Sequence, residues 1–229
     1  MLRAAVATHS VPSDSPWRRS CDGCRASLDI RDPSMAFSPV GRCGSCGLKV
    51  GAPPYLVEAA TLVAAFVVVL VRPSHLEALA VAWWAGTSIV LAFVDAAVHR
   101  LPNRLTYPAA SGVVTLLGLS AVVEHHTASG LARGVVAGTG LAAGFTALTL
   151  ALGRHGPGLG DAKLMLGTGI LLGWLGWTTV LTGLAFALVA QGLWATALVV
   201  AKRAGDGAHL PMGPFLIVGA AVGAVLTSC

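Results

Sequence analysis

Beyond Tyr55 the chain is written in long apolar runs, at residues 55–71, 75–95, 106–123, 131–152, 163–176, 178–200 and 211–228. Most approach the roughly 20 apolar residues that a helix needs to cross the hydrocarbon layer. The pattern predicts an all-α, polytopic membrane helix bundle of about seven spans over residues 53–229. The fifth run is short, so it predicts a half-span or a segment sharing a tight turn with the sixth at Gly176. Before Tyr55 the pattern changes. Residues 1–20 carry Ser10, Pro12, Ser13, Ser15 and Pro16, with no apolar core of a signal peptide, and predict a disordered tail. Residues 21–52 are polar, hold two Cys-x-x-Cys pairs and read as a small separate module.

Composition sharpens this picture. Hydrophobic residues make up 55% of the chain and charged residues 11%, whereas about a quarter of a soluble domain is charged. An ordinary soluble domain is therefore excluded, and the expected surroundings are membrane lipid. Net charge is a modest +5, and no nucleic-acid partner is expected. If the cysteine module is cytoplasmic and each run crosses once, 13 of the 15 Lys and Arg residues fall on that side, leaving only Arg72 and Arg133 opposite. That is the asymmetry of the positive-inside rule, and it puts Asp95 and Asp161 at the cytoplasmic ends of their runs. No internal repeat stands out. Gly134/Gly138 and Gly140/Gly144 read as helix-packing positions. The seven histidines fall in loops or tails, the tryptophans read as anchors, and Glu58 opens the first span as an interfacial acid.

Three constellations carry candidate chemistry. Cys21-x2-Cys24-x18-Cys43-x2-Cys46 has the spacing of a structural tetrathiolate zinc site, with reduced or disulfide-paired dithiols as the alternative. Zinc would replace the core that so short a module cannot build. Asp95 stands before Leu101-Pro102-Asn103-Arg104-Leu105, where Pro102 ends the helix near Leu101. Alone, Asp95 reads equally well as a partner of Arg100 or Arg104. Gly156-Pro157-Gly158-Leu159-Gly160-Asp161-Ala162-Lys163 is a glycine-rich turn ending in an acid, which also reads as a helix cap, while Lys163 reads as an interfacial cation. Together the two acids make a sharper hypothesis. Two carboxylates at one depth share a proton and divide the roles of base and acid, as in aspartic proteases.

These residues resemble the type IV prepilin peptidases, membrane aspartic proteases of the Gly-x-Gly-Asp kind. Asp95 with Leu101-Pro102-Asn103-Arg104-Leu105-Thr106, including the seven-residue step from acid to proline, is similar to the first aspartate motif. Gly158-Leu159-Gly160-Asp161-Ala162-Lys163-Leu164 is similar to the second. Leu210-Pro211-Met212-Gly213-Pro214-Phe215-Leu216 resembles a late Pro-Phe-Gly-Pro motif with Met212 in place of Phe. The paired cysteines, Gly41-Arg42-Cys43 and Val57-Glu58 resemble the zinc module and its junction. The resemblance implies a plasma (inner) membrane peptidase with Asp95 and Asp161 as its catalytic pair. Its substrates would be type IV prepilin and type II secretion pseudopilin precursors, cut after a glycine on the cytoplasmic side. It also implies methylation of the new N-terminus from S-adenosylmethionine, an activity tied to the N-terminal half. Full-length members begin with a membrane helix before the cysteines, and here a polar tail is expected in its place. Rival expectations are a presenilin-like intramembrane protease and a non-catalytic transporter or assembly factor.

Overall fold

The computed structural model describes residues 2–11, 17–28, 41–71, 74–98, 101–123, 128–153, 156–201 and 211–228. Among these the fold is helical, without a named strand. Its helices are α1 (Leu2–His9), α2 (Leu56–Val71), α3 (His75–Val98), α4 (Asn103–Val123), α5 (Ala128–Leu152), α6 (Leu159–Leu175), α7 (Trp177–Val200) and α8 (Gly213–Ser228). Helices α2 to α8 follow the seven apolar runs. Four of them, α3, α4, α5 and α7, are long and apolar enough to cross a membrane. The other three have 16 or 17 residues. Arg31, Arg72, Arg100, Arg154, Lys202 and Arg203, which weighed in the charge asymmetry, lie outside the described residues. So do His99, His125, His126, His155, His209 and Leu210.

The shortness of α6 has a structural reason. It is buried from Asp161 to Trp174 on nearly every face, so it is the central post of the bundle and presents little surface to lipid. Gly176 turns the chain at φ +153, a conformation that side chains rarely adopt, and α7 begins at the next residue. The tight turn expected at Gly176 is therefore present. At this end the last carbonyls of α6 lack intrahelical partners. Arg133 Nε donates to Gly173 O at 2.6 Å and its Nη2 to Trp174 O at 2.6 Å, while Trp174 Nε1 donates to Glu77 Oε1 at 2.6 Å. Midway along the bundle, Trp84 Nε1 donates to Thr168 Oγ1 at 3.1 Å and joins α3 to α6.

Close packing uses glycine where backbones meet. A β-carbon at Gly138 would lie 2.5 Å from Leu166 O, and one at Gly173 would lie 2.9 Å from Gly134 Cα. Gly134 and Gly138 thus seat α5 on α6 as expected. Gly140 and Gly144 do not pack: a β-carbon at either meets nothing within 4 Å. The outward faces of α2 and α7, with Leu62, Phe66, Leu181 and Trp194 exposed, are apolar.

One expectation fails. Residues 2–9 are not a disordered tail but the helix α1, with Arg3, Ala4, Val6 and Ala7 buried. Serines and prolines after position 9 dominate the composition of this stretch, but Arg3, Val6 and Ala7 recur at helical spacing and share one face. Positions 12–16 lie outside the described residues.

The α5–α6 contact generates a stability prediction. Gly138→Val should destabilise the bundle by about 1–3 kcal/mol through overpacking. Gly140→Ala should be neutral or stabilise by up to about 1 kcal/mol. Thermal unfolding in detergent micelles separates the two.

Candidate active site and metal centre

The glycine-rich turn is fastened to the end of α5. Thr149 Oγ1 donates a short hydrogen bond to Pro157 O, and a β-carbon at Gly156 would lie 3.0 Å from Leu148 O. The turn delivers Asp161 into the first turn of α6. There its Oδ2 accepts the N–H of Gly158 at 3.1 Å, so the acid reaches back over the residue that starts the helix, as an N3 capping acid does. Asp161 is 7% exposed, and its Oδ1 is buried with no hydrogen-bond partner. A buried acceptor that no protein donor meets costs about 1–3 kcal/mol, more for a charged group.

Asp95 lies near the end of α3 and is 6% exposed. Its Oδ2 accepts the N–H of Gly213 at 3.1 Å, from the first residue of α8. A β-carbon at Gly213 would lie 2.7 Å from that same oxygen, so only glycine lets α8 approach. Pro214 follows in the first turn of α8, where its missing N–H is harmless. The two carboxyls are close enough to act on each other electrostatically. Arg104, a candidate partner of Asp95, has its guanidinium over the Trp17 ring, 5.6 Å from the centroid, and Arg100 lies outside the described residues.

The motif residues meet around this pair. Leu101, just before Pro102, packs on Gly160, where a β-carbon would lie 3.0 Å from Leu101 Cβ. Lys163 Nζ donates to Asn103 Oδ1 at 2.7 Å and sits 5.8 Å from the centre of the Tyr107 ring. Lys163, expected as an interfacial cation, thereby ties the start of α6 to the start of α4. Leu91, Leu101, Ala162, Met165 and Leu216 form the apolar floor of the site, with Met212 packed against it.

The cysteine module is two copies of one turn. Cys21 N–H donates to Ala26 O at 2.8 Å and Arg25 N–H to Cys21 O at 2.9 Å; Cys43 N–H donates to Leu48 O and Gly47 N–H to Cys43 O at the same two lengths. Arg25 and Gly47, each following the second cysteine, both have positive φ. The bridges Ser20–Ser27 and Arg42–Lys49 repeat likewise. No repeat was legible in the sequence, because this one resides in turn geometry and in four thiols. All four Sγ atoms lie within 4.8 Å of one another, with Cys21–Cys46 at 3.5 Å and Cys24–Cys43 at 3.6 Å. Four thiolates about 2.3 Å from one ion sit at comparable separations, so the residues fit a tetrathiolate metal site. The N–H groups of Ser45 and Cys46 hold the Cys43 thiol down to about 6. Cys46 is pushed up to about 12: the N–H of Leu48 favours its thiolate, but the neighbouring Cys21 and Cys24 sulfurs outweigh it.

Arg3 was missed by sequence reasoning. It lies under Glu58, which accepts from it at 2.7 Å. The only signal was a charged residue between apolar neighbours.

A profile of the type IV leader peptidase family matches residues 79–227, which hold both aspartates. The chain belongs to that family. It is 27% identical over 180 residues to the prepilin leader peptidase/N-methyltransferase of Aeromonas salmonicida strain A449, covering 78% of this chain and 60% of that protein. It is 30% identical over 217 residues to the protein of the same name from Dickeya chrysanthemi, covering 90% and 72%. The chain thus spans about 60% of the length of its Aeromonas relatives. No solved structure matches it. Family and apolar helices together make this leader peptidase homologue a multi-pass membrane protein.

The metal centre yields a test by elemental analysis. The purified chain should carry stoichiometric metal, and serine at any of the four cysteines should remove most of it. Protons compete for thiolates, so acidification should release the metal, and the metal-to-protein ratio should fall with pH in all forms of the chain.

Proposed function

We propose that this chain is a membrane aspartic endopeptidase that removes the short basic leader from type IV prepilin and type II secretion pseudopilin precursors. The cut falls at the cytoplasmic face of the plasma (inner) membrane, just before the precursor's apolar helix. The observation that carries this reading is a pair of buried, mutually interacting carboxyls, each with one oxygen on a glycine N–H and one of them with a buried, unpartnered second oxygen. A buried acceptor that no protein donor meets is suited to a reaction partner, and a water fits that description.

The chemistry follows from the pair. One carboxylate takes a proton from water as the water oxygen bonds to the scissile carbonyl carbon. The other carboxyl, protonated, hydrogen-bonds the carbonyl oxygen and stabilises the charge developing there. Collapse of the tetrahedral intermediate breaks the C–N bond, and the proton collected from water passes to the leaving amine. Glycine N–H donors at Gly158 and Gly213 fix both carboxyls before substrate arrives, which is the preorganisation that such catalysis needs. The Lys163–Asn103 bond holds the two aspartate-bearing segments in register. Zinc at Cys21, Cys24, Cys43 and Cys46 would be structural, since four protein ligands leave no open position for a reacting group. The relatives' names couple peptidase to N-methyltransferase. S-adenosylmethionine would supply the methyl group in a methylating enzyme, and no residue of this chain is assigned to that step.

The reading is tested by co-expressing the chain with a candidate precursor and measuring the intact mass of the product. Asp95→Asn and Asp161→Asn should each lower leader removal by about 10²–10⁴-fold, the usual worth of a general acid or base. Gly213→Ala should lower it by about tenfold to a hundredfold by displacing Asp95, with the metal retained. Full processing by both Asn variants would overturn the aspartic mechanism. A product cut within the apolar helix would favour an intramembrane protease. An added methyl mass would assign the second activity.

A further inference from the structure

Arg3 has no part in the proposed chemistry, yet it is 3% exposed and its guanidinium makes four hydrogen bonds. Nε and Nη2 donate to the two oxygens of Glu58 at 2.9 and 2.7 Å, Nη1 to Ala52 O at 2.9 Å, and Nη2 also to Pro53 O at 3.1 Å. Its space depends on Gly41, at φ +62, where a β-carbon would lie 2.7 Å from Nη1. A buried cation so held fixes the position of whatever carries it.

What carries it is α1, which buries residues in two directions. Val6 enters a cluster with Val57 of α2 and Ile89, Val90 and Val94 of α3. Val94 directly precedes Asp95. Ala7 enters a different cluster, with Cys21, Cys43 and Val50. There the backbones touch: Gly51 has φ +77, and a β-carbon on it would lie 3.0 Å from Ala7 Cα. A continuous packed path therefore runs from the cysteine turns through Ala7 and Val6 to Val94 and Asp95.

We infer that α1 is a brace between the metal module and the helix that carries Asp95, and that Arg3 is the positioning residue that seats it. With metal bound, the two cysteine turns are locked and present Val50 and Gly51 as a fixed seat for α1. α1 in turn presses Val6 on the end of α3 and holds Asp95 opposite Asp161. Without the metal the seat loosens, α1 shifts, and the last turns of α3 lose a packing partner. Metal occupancy thereby acts on an aspartate that it does not touch. The inference rests on the reading of Asp95 as catalytic, but its mechanical part does not.

The test uses the full chain in lipid nanodiscs. Wild type, Arg3→Ala, Arg3→Lys and Gly51→Val are compared before and after chelation. Hydrogen exchange is followed over residues 86–98, and kcat and KM are measured for leader removal. Chelation of the wild type should speed exchange over 86–98 and lower kcat by about tenfold or more, as misplaced catalytic groups do, with KM nearly unchanged. Arg3→Ala should show the same two changes with metal still bound, and chelation should then add little, because coupled perturbations are not additive. Arg3→Lys should recover part of the loss. Gly51→Val, which pushes α1 off the module without touching Arg3, gives the same readout should Arg3→Ala fail to accumulate. Unchanged exchange over 86–98 on chelation, or chelation and Arg3→Ala effects that multiply, would overturn the brace. A wild type that processes no precursor would count against the proposed function alone, and the exchange data would still decide the brace.

Discussion

Taking a carboxylate out of water costs several kcal/mol unless its charge is met, and this chain buries two at one end of an apolar bundle. Each is met by one backbone N–H from a glycine that begins or precedes a helix. Much of the surrounding sequence serves that arrangement. Gly213 must be glycine for α8 to come within reach of Asp95, and Gly160 must be small for Leu101 to pack on the Asp161 turn. Lys163 and Asn103 join the two segments across the gap. The central burial of α6 and the Arg133 bonds at its far end hold the helix that carries Asp161.

Much of this was legible in the residues. Seven apolar runs match seven helices, four of them of membrane-spanning length, because a long apolar run favours helix in a membrane whatever its partners. Asp95 and Asp161 drew attention because charge at the end of an apolar run is costly and so needs a reason. The turn at Gly176 was legible because two apolar runs met at a glycine. What escaped was whatever depends on contacts between distant segments. Lys163 looked like an interfacial cation, since nothing local announces Asn103 sixty positions earlier. Gly140 and Gly144 have the same spacing as Gly134 and Gly138 but face the other way. α1 was hidden by the serines and prolines that follow it. Its helix is held by tertiary burial, and its one charged anchor, Arg3, acquires meaning only through Glu58 and the carbonyls of Ala52 and Pro53.

The cysteine module of residues 21–52 and the bundle solve opposite problems. The bundle has apolar surface to spare and packs it glycine against backbone. Among its described residues the module has a small core: Cys21, Leu28, Cys43 and Val50 form one buried cluster, and Ala7 of α1 completes it. A metal held by the four cysteines would supply what that cluster lacks, and through α1 that rigidity would reach the bundle.

The central claim is that Asp95 and Asp161 act as one unit, and infrared titration of the two carboxyls tests it most directly. Carbon-13 labelling of aspartate moves the aspartate carboxyl bands away from glutamate, and comparison of wild type with Asp95→Asn and Asp161→Asn assigns the signals. A coupled pair titrates in macroscopic steps that belong to both groups, so replacing either aspartate should alter the titration of the one that remains. If each carboxyl titrates identically whether or not its neighbour is present, the two are independent and the dyad does not exist.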